Sequence, residues 1–300
     1  MTAPILVVGR KGQLATDLVE GGDRGPVPVV ALGRPDLDLL NETSIAAAIE
    51  RVAPRAVINA AAYTAVDRAE AEPDAAFALN RDGPGQLAAA CARAGIPLVH
   101  VSTDQVFDGR REGGFTEQDE PNPLCLYGRS KLAGERAVAR AGGDHLVVRV
   151  SWVFGPSADN FVKKVLGWAT ARDTVSIVSD QRGRPTYSPG LAEALIALAA
   201  RMGSGEPARP AGLLHLAGAT VMTRFEQALQ ILEESRLRGG PSANVLPVLT
   251  KDFPTPATRP LNAELDVTRA ARLYGLQLRT FTEDLSETLD RVIGPVRKTS

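Results

Sequence analysis

An α/β fold, a doubly wound parallel sheet with a smaller mixed α+β lobe, is what this 300-residue sequence predicts. Three observations carry the prediction. Short apolar runs alternate with longer, Ala-rich stretches of helical character through the first half of the chain. The apolar runs are continuous, which suits strands buried on both faces. The first of them runs directly into a glycine-bearing turn that opens a helix.

In chain order, strand-like runs at 5–8, 27–32, 56–60, 97–102 and 146–151 are separated by helical stretches at 13–19, 43–52, 74–94 and 127–141. Strand then helix, repeated with right-handed crossovers, puts helices on both faces of the sheet. The stretch 74–94 holds Asn80, Gly83, Pro84 and Gly85, which would kink or break an isolated helix. Beyond Ser151 the pattern loosens. Residues 160–171, 188–202 and 281–293 read as helices and 175–178 and 213–217 as strands, whereas 241–262 is Pro-rich and aperiodic. The expected division is a dinucleotide-binding unit over 1–151, completed by 181–204, and a second unit over 152–180 and 205–300. No internal repeat or long linker interrupts it.

Composition narrows the function classes. Hydrophobic residues make up 44% of the chain, enough for a substantial core, and the net charge is -1. That balance argues against a large nucleic-acid footprint or a membrane-surface protein. The longest apolar stretches, such as LAEALIALAA, are too short to span a bilayer. Cys91 and Cys125 have neither metal nor redox spacing, and no secretory apolar segment opens the chain; both point to the cytoplasm. His100, His145 and His215 sit in or beside apolar runs and read as structural.

The glycine turn reads Gly9-Arg10-Lys11-Gly12-Gln13-Leu14-Ala15. Glycine there lets the backbone approach a pyrophosphate, whose charge the free N–H groups of the next helix stabilise. The spacing is G-x-x-G-x-x-A, weak by itself and strengthened by its place after the first strand. Arg10 and Lys11 could equally be solvated. The second strand ends at Gly33-Arg34 rather than on a carboxylate, which suits a 2′-phosphate and hence NADPH at least as well as NADH.

Tyr127 and Lys131 are four residues apart on a predicted helix and so share one face. An ammonium beside a phenol favours the phenolate, and the pair can deliver a proton to a ketone oxygen. Tyr-x-x-x-Lys also arises by chance; its place after a fourth strand ending Ser102-Thr103-Asp104 gives it weight.

Together these residues resemble a known family. The blocks GRKGQLATDL, NAAAYTAVDRAEAEPDAAFALN, HVSTDQVFDG, YGRSKLAGE, SWVFG, NFVK, DQRGRPT and PTPATRPLN occur in that order between residues 9 and 262. The chain is similar to the extended short-chain dehydrogenase/reductases, in their dTDP-4-dehydrorhamnose reductase branch. The resemblance implies a Rossmann-type unit with a smaller nucleotide-sugar unit and NADPH or NADH as cofactor. It implies reduction of the 4-keto group of dTDP-4-dehydro-β-L-rhamnose to dTDP-L-rhamnose, a precursor of cell-wall polysaccharide. Carried over by residue, Gly9, Arg10, Lys11, Gly12, Gln13 and Leu14 would hold the pyrophosphate, and Asp38 and Leu39 would border the adenine. Ala61, Ala62 and Tyr63 would line the cofactor cleft, and Thr103, Tyr127 and Lys131 would form the catalytic set, with Lys131 also on the nicotinamide ribose. Asp104 and Trp152 would touch the sugar. Asn160, Phe161 and Arg259 would meet the nucleotide or serve the structure. The family pattern STDYVFDG has Gln105 in place of its tyrosine here, which opens the choice of sugar. Some members hold Mg²⁺ through glutamates at a dimer interface; the matching position is Asp17, and no metal is expected. A homodimer is compatible with the resemblance. The competing expectations are a reductase, epimerase or dehydratase of another nucleotide-deoxysugar, and a non-catalytic regulatory subunit on the same fold.

Overall fold

The computed structural model describes residues 3–204 and 210–296. Its centre is a six-stranded sheet, and the chain enters it with β1 (Ile5–Val8), α1 (Gln13–Arg24), β2 (Val29–Leu32), α2 (Glu42–Val52) and β3 (Ala56–Asn59). Next come α3 (Val66–Ala69), α4 (Pro73–Phe77), a π-helical turn (Ala78–Asp82), α5 (Gly83–Ala94), β4 (Leu98–Thr103), α6 (Leu126–Arg140) and β5 (His145–Val150). After β5 the chain leaves through β6 (Val153–Phe154), α7 (Phe161–Ala171), β7 (Thr174–Val178), β8 (Arg182–Gly183) and β9 (Thr186–Tyr187). It returns with α8 (Ser188–Met202) and β10 (Gly212–His215). It ends with β11 (Met222–Thr223), α9 (Arg224–Leu237), β12 (Asn244–Val248), β13 (Asn262–Ala263), α10 (Thr268–Tyr274) and α11 (Phe281–Val292).

The strand order is β10-β5-β4-β3-β1-β2, and every pairing is parallel. The chain runs from β1 to one edge and then back past β1 to β3, so the order reverses between β1 and β3. That switch point is where ligands bind beyond the carboxyl ends of the strands. Alternate residues of one strand feed opposite faces. Ile5 and Val7 pack with Leu18 of α1 and Leu191, Leu195 and Leu198 of α8. Leu6 and Val8 pack with Ile45, Leu87 and Cys91 on the other side.

A second core gathers Phe154, Val162, Val165, Ile177, Ile231, Phe281 and Leu285 from β6, α7, β7, α9 and α11. Its helices carry strong start signals. Asn160 caps α7, and Thr223 with Glu226 and Thr280 with Glu283 form capping boxes on α9 and α11.

Five features depart from the sequence expectations. The strand at 212–215, expected in the second unit, is the edge of the main sheet, paired with β5. Within 181–204, Arg182–Gly183 pairs with β11 and β13 of a small sheet, while α8 covers the main sheet. The expected break after 204 abuts residues 205–209, outside the described residues. The aperiodic 241–262 contains β12, parallel to β7, whose Pro247 sits on a two-stranded ribbon with no second neighbour. Helix α9 went unseen because its apolar residues do not keep to the buried face: Leu229 and Leu237 are exposed while Gln227 and Ser235 are buried. Asn80, Gly83 and Pro84 do not break the helical path: the π turn and Pro84 at the first turn of α5 absorb them. Among the described residues, no helix is long and apolar enough to cross a membrane.

Candidate active site

The carboxyl ends of β1, β3, β4 and β5 open into one cleft of about 1440 Å³, lined by every cofactor, sugar and catalytic residue singled out from the sequence. At one end lies the glycine turn. Gly9 has φ 129°, a backbone conformation that side-chain-bearing residues rarely adopt, so the turn requires glycine. Gly12 precedes α1 with open space where a Cβ would project, and no side chain caps the helix. The first-turn N–H groups of α1 are therefore free to take an anion, which fits a pyrophosphate. Arg34 is exposed beyond Gly33, and Arg10 pairs with Asp36 at 3.0 Å.

The opposite wall is tied by amides. Asn59 Oδ1 accepts from Ala61 N at 3.1 Å. Buried Asn80, on the π turn, accepts from Tyr63 N at 2.8 Å through Oδ1 and donates through Nδ2 to Tyr63 O and Ser130 Oγ. Ser130 Oγ in turn donates to Tyr127 O at 2.8 Å. The loop after β3 and the helix carrying Tyr127 thus share one buried polar network.

Three side chains meet at the end of β4. The Tyr127 and Thr103 side chains face each other across the cleft, and Thr103 Oγ1 donates to Asp104 Oδ1 at 2.8 Å. Lys131 is 2% exposed, and its Nζ donates to Val101 O at 2.8 Å. Burial pulls the Lys131 ammonium down to about 8, while the Glu135 carboxylate works the other way. Burial pushes the Tyr127 hydroxyl above its ordinary value, and the Thr103 contact only partly offsets this. This corrects the expected lowering: the ammonium is bonded to a strand carbonyl, and desolvation of the phenolate dominates. Tyr127 is thereby held as a neutral phenol, the form able to give up a proton.

Beyond this trio lies a pocket of mixed character. Trp152 has φ 45°, and Gly183 is the floor beneath its indole: a Cβ at Gly183 would lie 2.6 Å from Trp152 Cε2. The Arg224 guanidinium lies 3.6 Å from the centre of the Trp152 indole and 4.5 Å from that of Phe161. Burial draws Arg224 down to about 9, opposed by nearby Asp104. Asp104 also accepts from Ser151 Oγ at 2.9 Å, and burial raises its carboxyl above the usual range. Gln105 Oε1 accepts from Cys125 Sγ at 3.4 Å.

Two predicted contacts are already engaged by the protein. Asn160 Nδ2 donates to Gln13 Oε1 and Gly155 O, while its Oδ1 caps α7. Arg259 pairs with Asp67 at 2.9 Å. Sequence reasoning missed Arg224, Trp168 and Phe253, all of which line the cleft. For Arg224 a signal existed: a cation at the first position of a helix opposes the macrodipole, and Thr223-x-x-Glu226 marks that position. Among the described residues, no three His, Cys, Asp or Glu side chains gather as a metal site. Asp17 is buried and accepts from Ser157 Oγ at 2.9 Å.

A family model described as the RmlD substrate binding domain matches residues 2–293. The dTDP-4-dehydrorhamnose reductase of Sinorhizobium fredii is 39% identical over 279 residues, 93% of this chain and 94% of that protein. The chain belongs to the dTDP-4-dehydrorhamnose reductase family. The Mycobacterium tuberculosis member is 41% identical over 262 residues, covering 85% of this chain and 82% of the relative. A crystal structure of the Bacillus anthracis dTDP-4-dehydrorhamnose reductase, in complex with NADP, matches with a TM-score of 0.88 at 32% identity over 96% of this chain and 99% of that one. The Thermus thermophilus UDP-glucose 4-epimerase complex with NAD matches with a TM-score of 0.80 at 21% identity, covering 98% of this chain and 100% of that one, and shares the fold.

Proposed function

We propose that this protein reduces the 4-keto group of dTDP-4-dehydro-β-L-rhamnose to give dTDP-L-rhamnose, using NADPH in preference to NADH. The observation that carries the reading is the junction of Thr103, Tyr127 and Lys131 at the end of β4, inside the cleft that begins at the α1 N-terminus. The nicotinamide, when bound, supplies the hydride that adds to C4. Tyr127 gives its proton to the ketone oxygen, so the carbonyl becomes an alcohol. Thr103 orients that oxygen, and Lys131 holds positive charge beside the site as Tyr127 loses its proton. The free N–H groups of α1 would hold the pyrophosphate, and Arg34 and Arg10 the 2′-phosphate.

Asp104, Gln105, Trp152 and Arg224 would bind the sugar, and Arg259 the nucleotide. Asn160 serves the structure of the cleft wall. We divide the molecule into a cofactor unit, the six-stranded sheet with α1–α6 and α8, and a nucleotide-sugar unit built on the second core. We place the reaction in the cytoplasm, where two free, buried thiols persist. A homodimer would be read by light scattering.

Gln105 favours a second reading, a reductase of another dTDP-deoxysugar. Absorbance at the NADPH band, with dTDP-4-dehydro-6-deoxyglucose supplied with and without a 3,5-epimerase, separates the two. Oxidation only with the epimerase is expected. Oxidation without it would assign a different sugar, and none in either case would overturn the reductase reading.

A further inference from the structure

Behind the catalytic helix lies a buried, fully bonded carboxylate, Glu135, which the mechanism above does not use. It lies on α6, one turn beyond Lys131 and two beyond Tyr127, so all three share one helix face. Glu135 is 7% exposed and Arg149, on β5, is 2% exposed; neither lines the cleft. Arg149 donates to both Glu135 oxygens, Nε at 2.9 Å and Nη2 at 2.7 Å. Ser102 Oγ donates to the same carboxylate. Ser102 and Arg149 are register partners across β4 and β5, and Ser102 immediately precedes Thr103. Glu135 is the one carboxylate paired with Arg149 among the described residues.

Helix α6 therefore grips three consecutive residues of β4. Lys131 holds the Val101 carbonyl, Glu135 holds the Ser102 hydroxyl, and Tyr127 meets Thr103. Two glycines let the helix approach closely: a Cβ on Gly134 would lie 2.0 Å from Asn80 O of the π turn, and one on Gly128 would lie 2.1 Å from Gln105 O just beyond β4.

We propose that Glu135 is a positioning residue for catalysis: bound to Ser102 and Arg149 together, it fixes the height of Tyr127 and Lys131 against Thr103 and sets a full negative charge one helical turn from Lys131. The inference rests on the reductase reading above. The groups facing Lys131 can be named. Its own helix presents Glu135 one turn on and Tyr127 one turn back, β4 presents His100, and Arg149 of β5 reaches it through Glu135; Asp104 follows the end of β4. Elements α3 to α5, packed across α6, carry their charges at the surface, paired as Asp67 with Arg259, Arg68 with Glu72 and Arg81 with Asp82. Glu70 accepts from Leu126 N, and Asp74 and Arg93 are exposed. Glu135 is thus the anion that opposes desolvation of the Lys131 ammonium. Removing it also leaves Arg149 unpaired nearby, and both changes favour neutral Lys131.

The test uses the full chain with NADPH and the epimerised keto-sugar, with rates per NADPH-binding site. Glu135→Gln should bind NADPH as the parent does, lose about 10- to 100-fold in kcat with little change in KM, and move the alkaline limb of the kcat profile to lower pH. Ser102→Ala, which keeps both charges, should lower kcat without moving that limb. If Glu135→Gln does not fold, Glu135→Gln/Arg149→Met removes both charges and should still show the limb displaced. A folded variant with parental kcat per site, or reduced yield with an unmoved limb, would overturn the proposal and leave Glu135 a fold element only. Parental turnover in Tyr127→Phe would instead overturn the reductase reading itself.

Discussion

At the scale of single residues, the site works by withholding water from three polar groups. Tyr127→Phe removes the proton donor while keeping the ring, so kcat should fall by about 10²–10⁴-fold with NADPH affinity retained, read by stopped-flow and fluorescence titration. Lys131 sets the pH range. Its ammonium is drawn down to about 8 by burial, so the charge needed beside Tyr127 is present below that value and lost as pH rises through it. The kcat/KM profile should therefore show an alkaline limb near 8; activity flat to pH 10 would contradict it. At the cofactor end, Arg34→Asp places a carboxylate where a 2′-phosphate would lie. It should cut kcat/KM for NADPH by about tenfold or more and leave NADH largely unaffected. That Thr103, Tyr127 and Lys131 would line one cleft was legible in the sequence, because their types and order are constrained by the chemistry proposed for them. Arg224 was not, because its partners Trp152 and Phe161 lie more than sixty positions away and are brought to it only by the second core.

At the scale of elements, local signals and tertiary contacts share the work unevenly. Strands β1, β3, β4 and β5 could be read directly, since continuous apolar runs have few alternatives to burial on both faces. Helix α9 was not read, because its buried face includes Gln227 and Ser235 while Leu229 and Leu237 are exposed; it packs Ile231 and Leu232 into the second core. Strand β12 was hidden by Pro247: only pairing with β7 makes it a strand. Asn160 shows how an element end can double as a cleft wall. Asn160→Ala should cost about 1 kcal/mol in urea unfolding from the lost cap, and should raise KM by freeing Gln13. Unchanged stability would mean the cap is redundant.

At the scale of the whole molecule, two cores are joined by a chain that passes between them repeatedly, and stability is spread across both. Burial holds His215 down to about 3, so it stays neutral in the folded protein while an unfolded imidazole protonates near pH 6.5. Between those values the unfolded state binds the extra proton, so folding weakens as pH falls. The stability advantage of the parent over His215→Gln should shrink from pH 7 to pH 5, by up to about 1.4 kcal/mol per unit. A constant difference would refute the assignment. The overall architecture was foreseen, but the partition of the later chain was not, since strand β10 and helix α8 carry no local mark of which core they join. That late return has a consequence for how the protein is made. One face of the sheet, with Ile5, Val7, Ile58 and Val148, has its cover in Leu191, Leu195 and Leu198 of α8. At about 5–20 residues per second, the ribosome delivers that cover roughly 2–10 s after β5 has left it. For that interval α1 alone covers this face of the nascent sheet, so synthesis rate and chaperone supply would weigh on the yield of this chain in a cell alongside its final stability.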